Sequence, residues 1–153
     1  AEVTDADRKV SVDTRGVITI PAAATSEPKG SKGAIIFTPS VLGGLQMHYK
    51  RGGKTDFEYK VEAPKAGSYA LVAKVATPSW QQNLVLSVNG KGGAGEIPLP
   101  HTVGMWDFTK PIKVELKRGM NTLRFSHRAD GQAKGFTIKE FQLAPVPAHA
   151  QVR

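Results

Sequence analysis

The densest run of chemistry-bearing side chains lies between Pro98 and Phe108 and reads Pro-Leu-Pro-His-Thr-Val-Gly-Met-Trp-Asp-Phe. Pro98 and Pro100 bracket Leu99 and stop regular strand pairing, because proline has no N–H to give a ladder. Behind them His101, Thr102, Trp106, Asp107 and Phe108 crowd one loop. An indole in such a loop either caps a core or offers a platform to a ligand. Trp80 stands in a loop of its own and carries the same two readings. A second contact-rich run is His48-Tyr49-Lys50-Arg51, two rings beside two cations, which also reads as a plain basic hairpin tip.

Other combinations lead away from catalysis. His101, Asp107, His127 and Asp130 could gather as a metal or acid–base set, but their spacing matches no ligand pattern, and no metal site is assigned. The chain has no cysteine, which removes disulfides, thiolate metal sites and a cysteine nucleophile together. No G-x-S-x-G elbow occurs. Glycoside hydrolysis needs two carboxylates facing each other across a cleft, whereas Asp56, Asp107 and Asp130 stand among many cations. The run Gly-Lys-Gly-Gly-Ala-Gly at 90–95 lacks the G-K-S/T ending and following helix of a phosphate loop, so it reads as a hairpin turn. No catalytic residue is assigned, and the chain is expected not to be an enzyme.

The elements that must position these residues are strands. Sixteen glycines and ten prolines punctuate short runs rich in Val, Ile, Leu, Phe and Tyr, with almost no helical period. Strands are expected at 17–20, 34–37, 45–49, 57–63, 69–75, 84–88, 96–99, 112–116, 122–125 and 136–143. Residues 57–63 alternate strictly, with Phe57, Tyr59, Val61 and Ala63 on one face, and 69–75 reads as a central strand. Asn89-Gly90 is a strong hairpin signal, since both residues tolerate positive φ. Residues 22–32 read as a loop with room for one helical turn.

The pattern predicts an all-β fold, a two-sheet antiparallel β-sandwich of jelly-roll type. Residues 1–15 are charged and lack period, and read as a leader or linker; 16–146 form the sandwich, and 147–153 a tail. Ala1 is not a natural initiator, which points to a processed chain or a domain of a longer one. If strands run alternately up and down, the turns at 64–67, 89–91 and 117–121 share one end. The loops at 50–56, 77–82, 100–110 and 126–135 share the other, which gathers both tryptophans.

The net charge of +8 favours acidic partners: nucleic acid, anionic polysaccharide or an anionic surface. No block of about five like charges forms a nucleic-acid-binding tail, and cations are plentiful at both ends, so nucleic acid is a weak candidate. No apolar run reaches the roughly 18 residues of a membrane span, so no membrane partner is expected.

Several segments, taken in order, resemble the carbohydrate-binding modules of families 6 and 35. Ala66-Gly67-Ser68-Tyr69-Ala70-Leu71-Val72-Ala73-Lys74-Val75-Ala76 is similar to their turn-plus-strand pattern, and Leu84-Val85-Leu86-Ser87-Val88-Asn89-Gly90 follows, then Ile97-Pro98-Leu99-Pro100. Thr102-Val103-Gly104-Met105-Trp106 is similar to their T-G-G-W loop. The run from Val114 to Phe125, Val-Glu-Leu-Lys-Arg-Gly-Met-Asn-Thr-Leu-Arg-Phe, is similar to V-x-L-x-x-G-x-N-x-L-x-f. The resemblance covers roughly residues 57–143.

It implies a galactose-binding-like sandwich that holds sugar in a loop-end cleft, with Tyr49 (or His48) facing Trp106. An exposed ring stacks on the apolar face of a pyranose. Lys50 and Arg51 beside it would suit an acidic or sulfated sugar, because arginine grips such groups as a fork. His101, Trp80 and Arg128 complete the expected ligand-binding set. The family's structural calcium would need acidic residues in an early strand and near the last one. This chain has Ile20-Pro21-Ala22-Ala23 and Thr137-Ile138-Lys139 there, so no calcium is expected. The family's sugar-binding asparagine is also missing from Gly135-Phe136-Thr137.

The leading expectation is a non-catalytic module for a polysaccharide, anionic in character, attached to other domains of a parent protein outside the cell or in a periplasm. The alternative is a structural or protein-interaction sandwich of a larger extracellular protein that never meets sugar.

Overall fold

The computed structural model describes residues 2–78, 82–103, 105–129 and 135–147. Twelve strands fall among them: β1 (Ser11–Val12), β2 (Ile18–Pro21), β3 (Ile35–Pro39), β4 (Leu45–Tyr49), β5 (Phe57–Ala63), β6 (Gly67–Ala76), β7 (Gln82–Val88), β8 (Lys91–Pro98), β9 (Asp107–Phe108), β10 (Ile112–Leu116), β11 (Gly119–Ala129) and β12 (Phe136–Pro145). All pair antiparallel in two sheets. The smaller runs β5-β11-β7-β8. The larger is built on β12, which pairs β6 along one edge and shares its other edge between β4 and β2. β6 in turn takes β10 and β9 on its far side, so it is central, as its composition predicts.

Period-2 alternation explains the packing. Phe57, Tyr59, Val61 and Ala63 are buried, as are Tyr69, Leu71, Ala73 and Val75 of β6. These inner faces meet around a stack of rings: Phe57 on Phe125 with centroids 5.3 Å apart, and Phe125 on Phe141 at 4.6 Å. Each large apolar side chain so buried contributes roughly 1.5–3 kcal/mol. The one polar tip in this stack, the Tyr59 hydroxyl, donates to the Ala22 carbonyl at 2.8 Å, and burial pushes its pKa well above the usual phenol value.

Expected strands at 45–49, 57–63 and 112–116 coincide with β4, β5 and β10. Others run longer because pairing on both edges carries them into their turns: β11 is held by β5 and β7 together. Asn89 and Gly90 have φ of 52° and 78°, the hairpin geometry that folds β8 onto β7.

The expectation that residues 1–15 form a leader is corrected. β1 pairs β2, and Val3 and Val10 pack on the core. The Arg8 guanidinium donates to the Thr25 carbonyl at 2.9 Å. Two apolar residues seven apart leave no period to read, yet suffice to lay the segment on the sheet. Residues 22–32 hold a bridge between Glu27 and Glu58 and no helical turn.

Candidate functional site

The two ends of the sandwich separate as the up-and-down reading predicts. At the loop end a cavity of about 330 Å³ opens between His48, Thr77, Thr102, Gly135, Phe136 and Thr137. Four chain segments meet there: the end of β4, the end of β6, the loop after β8 and the start of β12.

Two buried threonines clamp the loop that carries Trp106. The Thr77 N–H donates to the Thr102 hydroxyl oxygen at 2.9 Å, and the Thr102 N–H donates to the Thr77 carbonyl at 3.1 Å. The Thr77 hydroxyl reaches the Pro100 carbonyl at 2.8 Å. Farther on, the Thr109 N–H donates to the Ala73 carbonyl at 2.9 Å while its hydroxyl accepts the Ala73 N–H at 2.8 Å. Between these anchors β9 pairs β6. Val103 sits at φ 27°, a strained region for a β-branched residue, and is 79% exposed; Met105 is 73% exposed. Trp106 is half-buried just before β9, and Phe108 is exposed with the Lys74 ammonium 5.7 Å from its ring centre.

The pairing of Tyr49 with Trp106 across the cleft is corrected. Tyr49 is fully buried, stacked on Phe136 with centroids 4.9 Å apart and planes 10° from parallel. Its hydroxyl accepts the Thr55 N–H at 2.7 Å and donates to the Thr55 carbonyl at 3.0 Å. Burial raises its pKa. Alternation along β4 turns Leu45, Met47 and Tyr49 inward together. His48 therefore faces the cleft, half-buried, with Nδ1 3.3 Å from the Thr137 hydroxyl oxygen.

Gly135, where the family resemblance would place an asparagine, brings no side chain to the cleft. A Cβ there would come to 3.2 Å from the Tyr49 carbonyl oxygen and 3.6 Å from the Arg51 nitrogen. The start of β12 lies close against the 49–51 backbone, and a side chain there would need the Tyr49 carbonyl to shift by a few tenths of an ångström.

Charge around the cleft is uneven. Lys50, Arg51 and Lys54 are exposed, and none has an ion pair among the described residues. The nearby carboxylates are engaged elsewhere: Asp56, Glu27 and Glu58 all surround Arg124, at 3.7, 3.2 and 3.3 Å. Arg128 lies instead on the outer face of the smaller sheet, held by Glu96. Its proposed role in the cleft is corrected, because the same alternation that turns His127 inward turns Arg128 away. His101 is exposed beside the clamp. Trp80 and Asp130 lie outside the described residues.

The His127 ring belongs to the core wall: it meets Tyr49 edge-on at 5.0 Å, and Nε2 lies 3.0 Å from Gln82 Oε1. Burial lowers its pKa, favouring the neutral ring. Among the described residues, no three of His, Asp and Glu converge as metal ligands. Sequence reasoning named Thr102 in its loop but missed Thr137 and the clamp to Thr77, since a contact between residues 25 apart leaves no local pattern.

No protein-family model matches the sequence, and no curated protein matches it. Solved structures do resemble it in three dimensions. The C-terminal family 6 carbohydrate-binding module of a laminarinase from Zobellia galactanivorans superposes with a TM-score of 0.66 at 18% identity, over 84% of this chain and 98% of that one. A family 35 module from Clostridium thermocellum gives 0.65 at 20% identity, over 85% and 98%. A module of lichenase 5A from Cellvibrio mixtus, solved with cellotriose, gives 0.61 at 24% identity, over 84% and 97%. Other matching chains are enzymes in which the similar part is a minor portion, such as a mannanase from Podospora anserina of which 28% is covered. The chain thus has the two-sheet fold of the family 6 and family 35 carbohydrate-binding modules.

Proposed function

We propose that this chain is a non-catalytic carbohydrate-binding module that takes a polysaccharide at the loop end of the sandwich. The observation that carries the reading is the half-buried Trp106, presented on a loop that two threonines clamp to the rim of the cleft. A partly exposed indole gives a pyranose ring an apolar face to stack on, while the rim supplies hydrogen bonds for its hydroxyls. His48 and Thr137 offer such groups inside the cavity. The shared fold with sugar-binding modules supports the same reading.

The ligand is anionic in this proposal. Lys50 and Arg51, near the cleft, have no ion pair among the described residues, and a guanidinium binds a carboxylate or sulfate in two parallel hydrogen bonds. A polysaccharide partner places the protein outside the cell or in a periplasm, joined to other domains of a parent protein. Among the described residues the cleft lining includes no carboxylate, and the paired carboxylates that glycoside hydrolysis needs have no counterpart there.

A docking role without sugar is the second reading, favoured by one observation: Val103 and Met105 project into solvent beside Trp106. Retention on a panel of immobilised polysaccharides at low and high salt separates the two. The wild type should be retained on a uronate-bearing or sulfated gel, and Trp106→Ala should lose about tenfold or more in affinity with little change in melting temperature. Silence across the panel, or a Trp106→Ala variant that binds normally, would remove the sugar reading.

A further inference from the structure

β12 changes partner along one edge. It pairs β4 as far as Ile138 and β2 from Glu140 onward, and its register against β6 shifts at the same point. Lys139 is the bulged residue at this seam. Its backbone carbonyl accepts the Ala22 N–H at 3.0 Å, just past the end of β2. Its side chain reaches the other way, to the turn between β3 and β4. There the ammonium donates to the carbonyl oxygens of Gly43 and, at 3.2 Å, of Leu45. Gly44 of this turn, at φ +63°, lies beside it, and a Cβ there would stand 3.4 Å from Nζ. The Asp7 carboxylate, held below its usual pKa chiefly by the Thr4 N–H and hydroxyl, also feels the charge of Lys139.

Two backbone carbonyl oxygens held on one cation are part of what a hard metal ion collects, since such an ion also binds through oxygen. The calcium that the family resemblance implies needs carboxylate ligands from an early strand and from β12. The corresponding positions here are Pro21, Ala22 and Ala23, which offer none, and Lys139, which carries a positive charge. These residues do not fit a dication, and the ammonium would repel one. We infer that the Lys139 ammonium takes the place of a structural metal ion, stapling the β3–β4 turn to the seam where β2 and β4 meet on β12. The sandwich then holds its shape without calcium, and the staple fixes β4, the strand that carries His48, against β12, whose start forms part of the cleft wall.

The test compares melting of the wild type and of Lys139→Met, each in excess EDTA and in millimolar calcium. Methionine keeps the unbranched stem and removes the charge. The wild type should melt at the same temperature in both buffers, and Lys139→Met about 5 °C lower in both. A Lys139→Met chain that fails to fold is the same result in its extreme form, and the wild-type comparison still decides alone. A wild type that loses several degrees in EDTA would overturn the inference by revealing a bound metal, and a Lys139→Met variant that melts with the wild type would overturn it by leaving the ammonium idle.

Discussion

The two ends of the sandwich are built by different kinds of bond. At the turn end, Asn121 is fully buried and its amide is satisfied on every side. It donates to the carbonyls of Lys117 at 2.8 Å and Gly119 at 3.0 Å, and accepts the Lys117 N–H at 3.0 Å and the Asn89 amide at 2.9 Å. Most of these partners lie within four residues of it. The loop end has instead the Thr77–Thr102 clamp, joined across 25 residues, and beyond it a strained valine and exposed apolar side chains. Closed local networks make a rigid end with little to offer a ligand. A long-range clamp leaves a loop tip whose side chains face outward. Cavity size alone would mislead here, since the space beside the turn end near Tyr69 and Pro145 is about 860 Å³, yet its one ring, Tyr69, is buried.

Breaking the turn end should cost stability and leave binding alone. Asn121→Ala strands two carbonyls, an N–H and an amide in a buried site, and a loss of about 3 kcal/mol in denaturant melts is expected, with unchanged affinity in the fraction that stays folded. Charge at the loop end should do the reverse. Lys50→Gln with Arg51→Gln should weaken binding of an anionic glycan several-fold at low salt and flatten its salt dependence, while the melting temperature holds. The smallest effect concerns His127, which joins the core wall behind the cleft. Burial holds its folded pKa below the ordinary histidine value of about 6.5, so the unfolded chain binds the extra proton first and stability falls as pH drops below about 6.5. Melting at pH 7.5 and 5.5 should show this slope in the wild type and a shallower one in His127→Gln.

Local patterns made most of the fold legible. Alternation in β5 and β6, and the Asn89-Gly90 turn, are statements about adjacent residues, and the structure repeats them. The same rule contained the answer for Tyr49: sharing a face with Leu45 and Met47, it had to point inward, leaving His48 outside. The resemblance drew attention to the more aromatic of the two neighbours. What no local pattern carries is pairing over distance. Val3 and Val10 on the core, the two-residue β9 against β6, and the Thr77–Thr102 clamp each depend on a partner far along the chain. Lys139 was legible as a missing carboxylate, but its grip on Gly43 and Leu45 appears only in the folded chain.

The central claim is that ligand enters at the loop end. Titrating the labelled protein with an acidic oligosaccharide and following amide and side-chain NMR signals tests it most directly. The account predicts that shifts concentrate on His48, Arg51, Thr102, Trp106 and Thr137, with Asn89 and Asn121 unmoved. Shifts centred on the turn end, or on the outer face around Arg124 and Arg128, would contradict it.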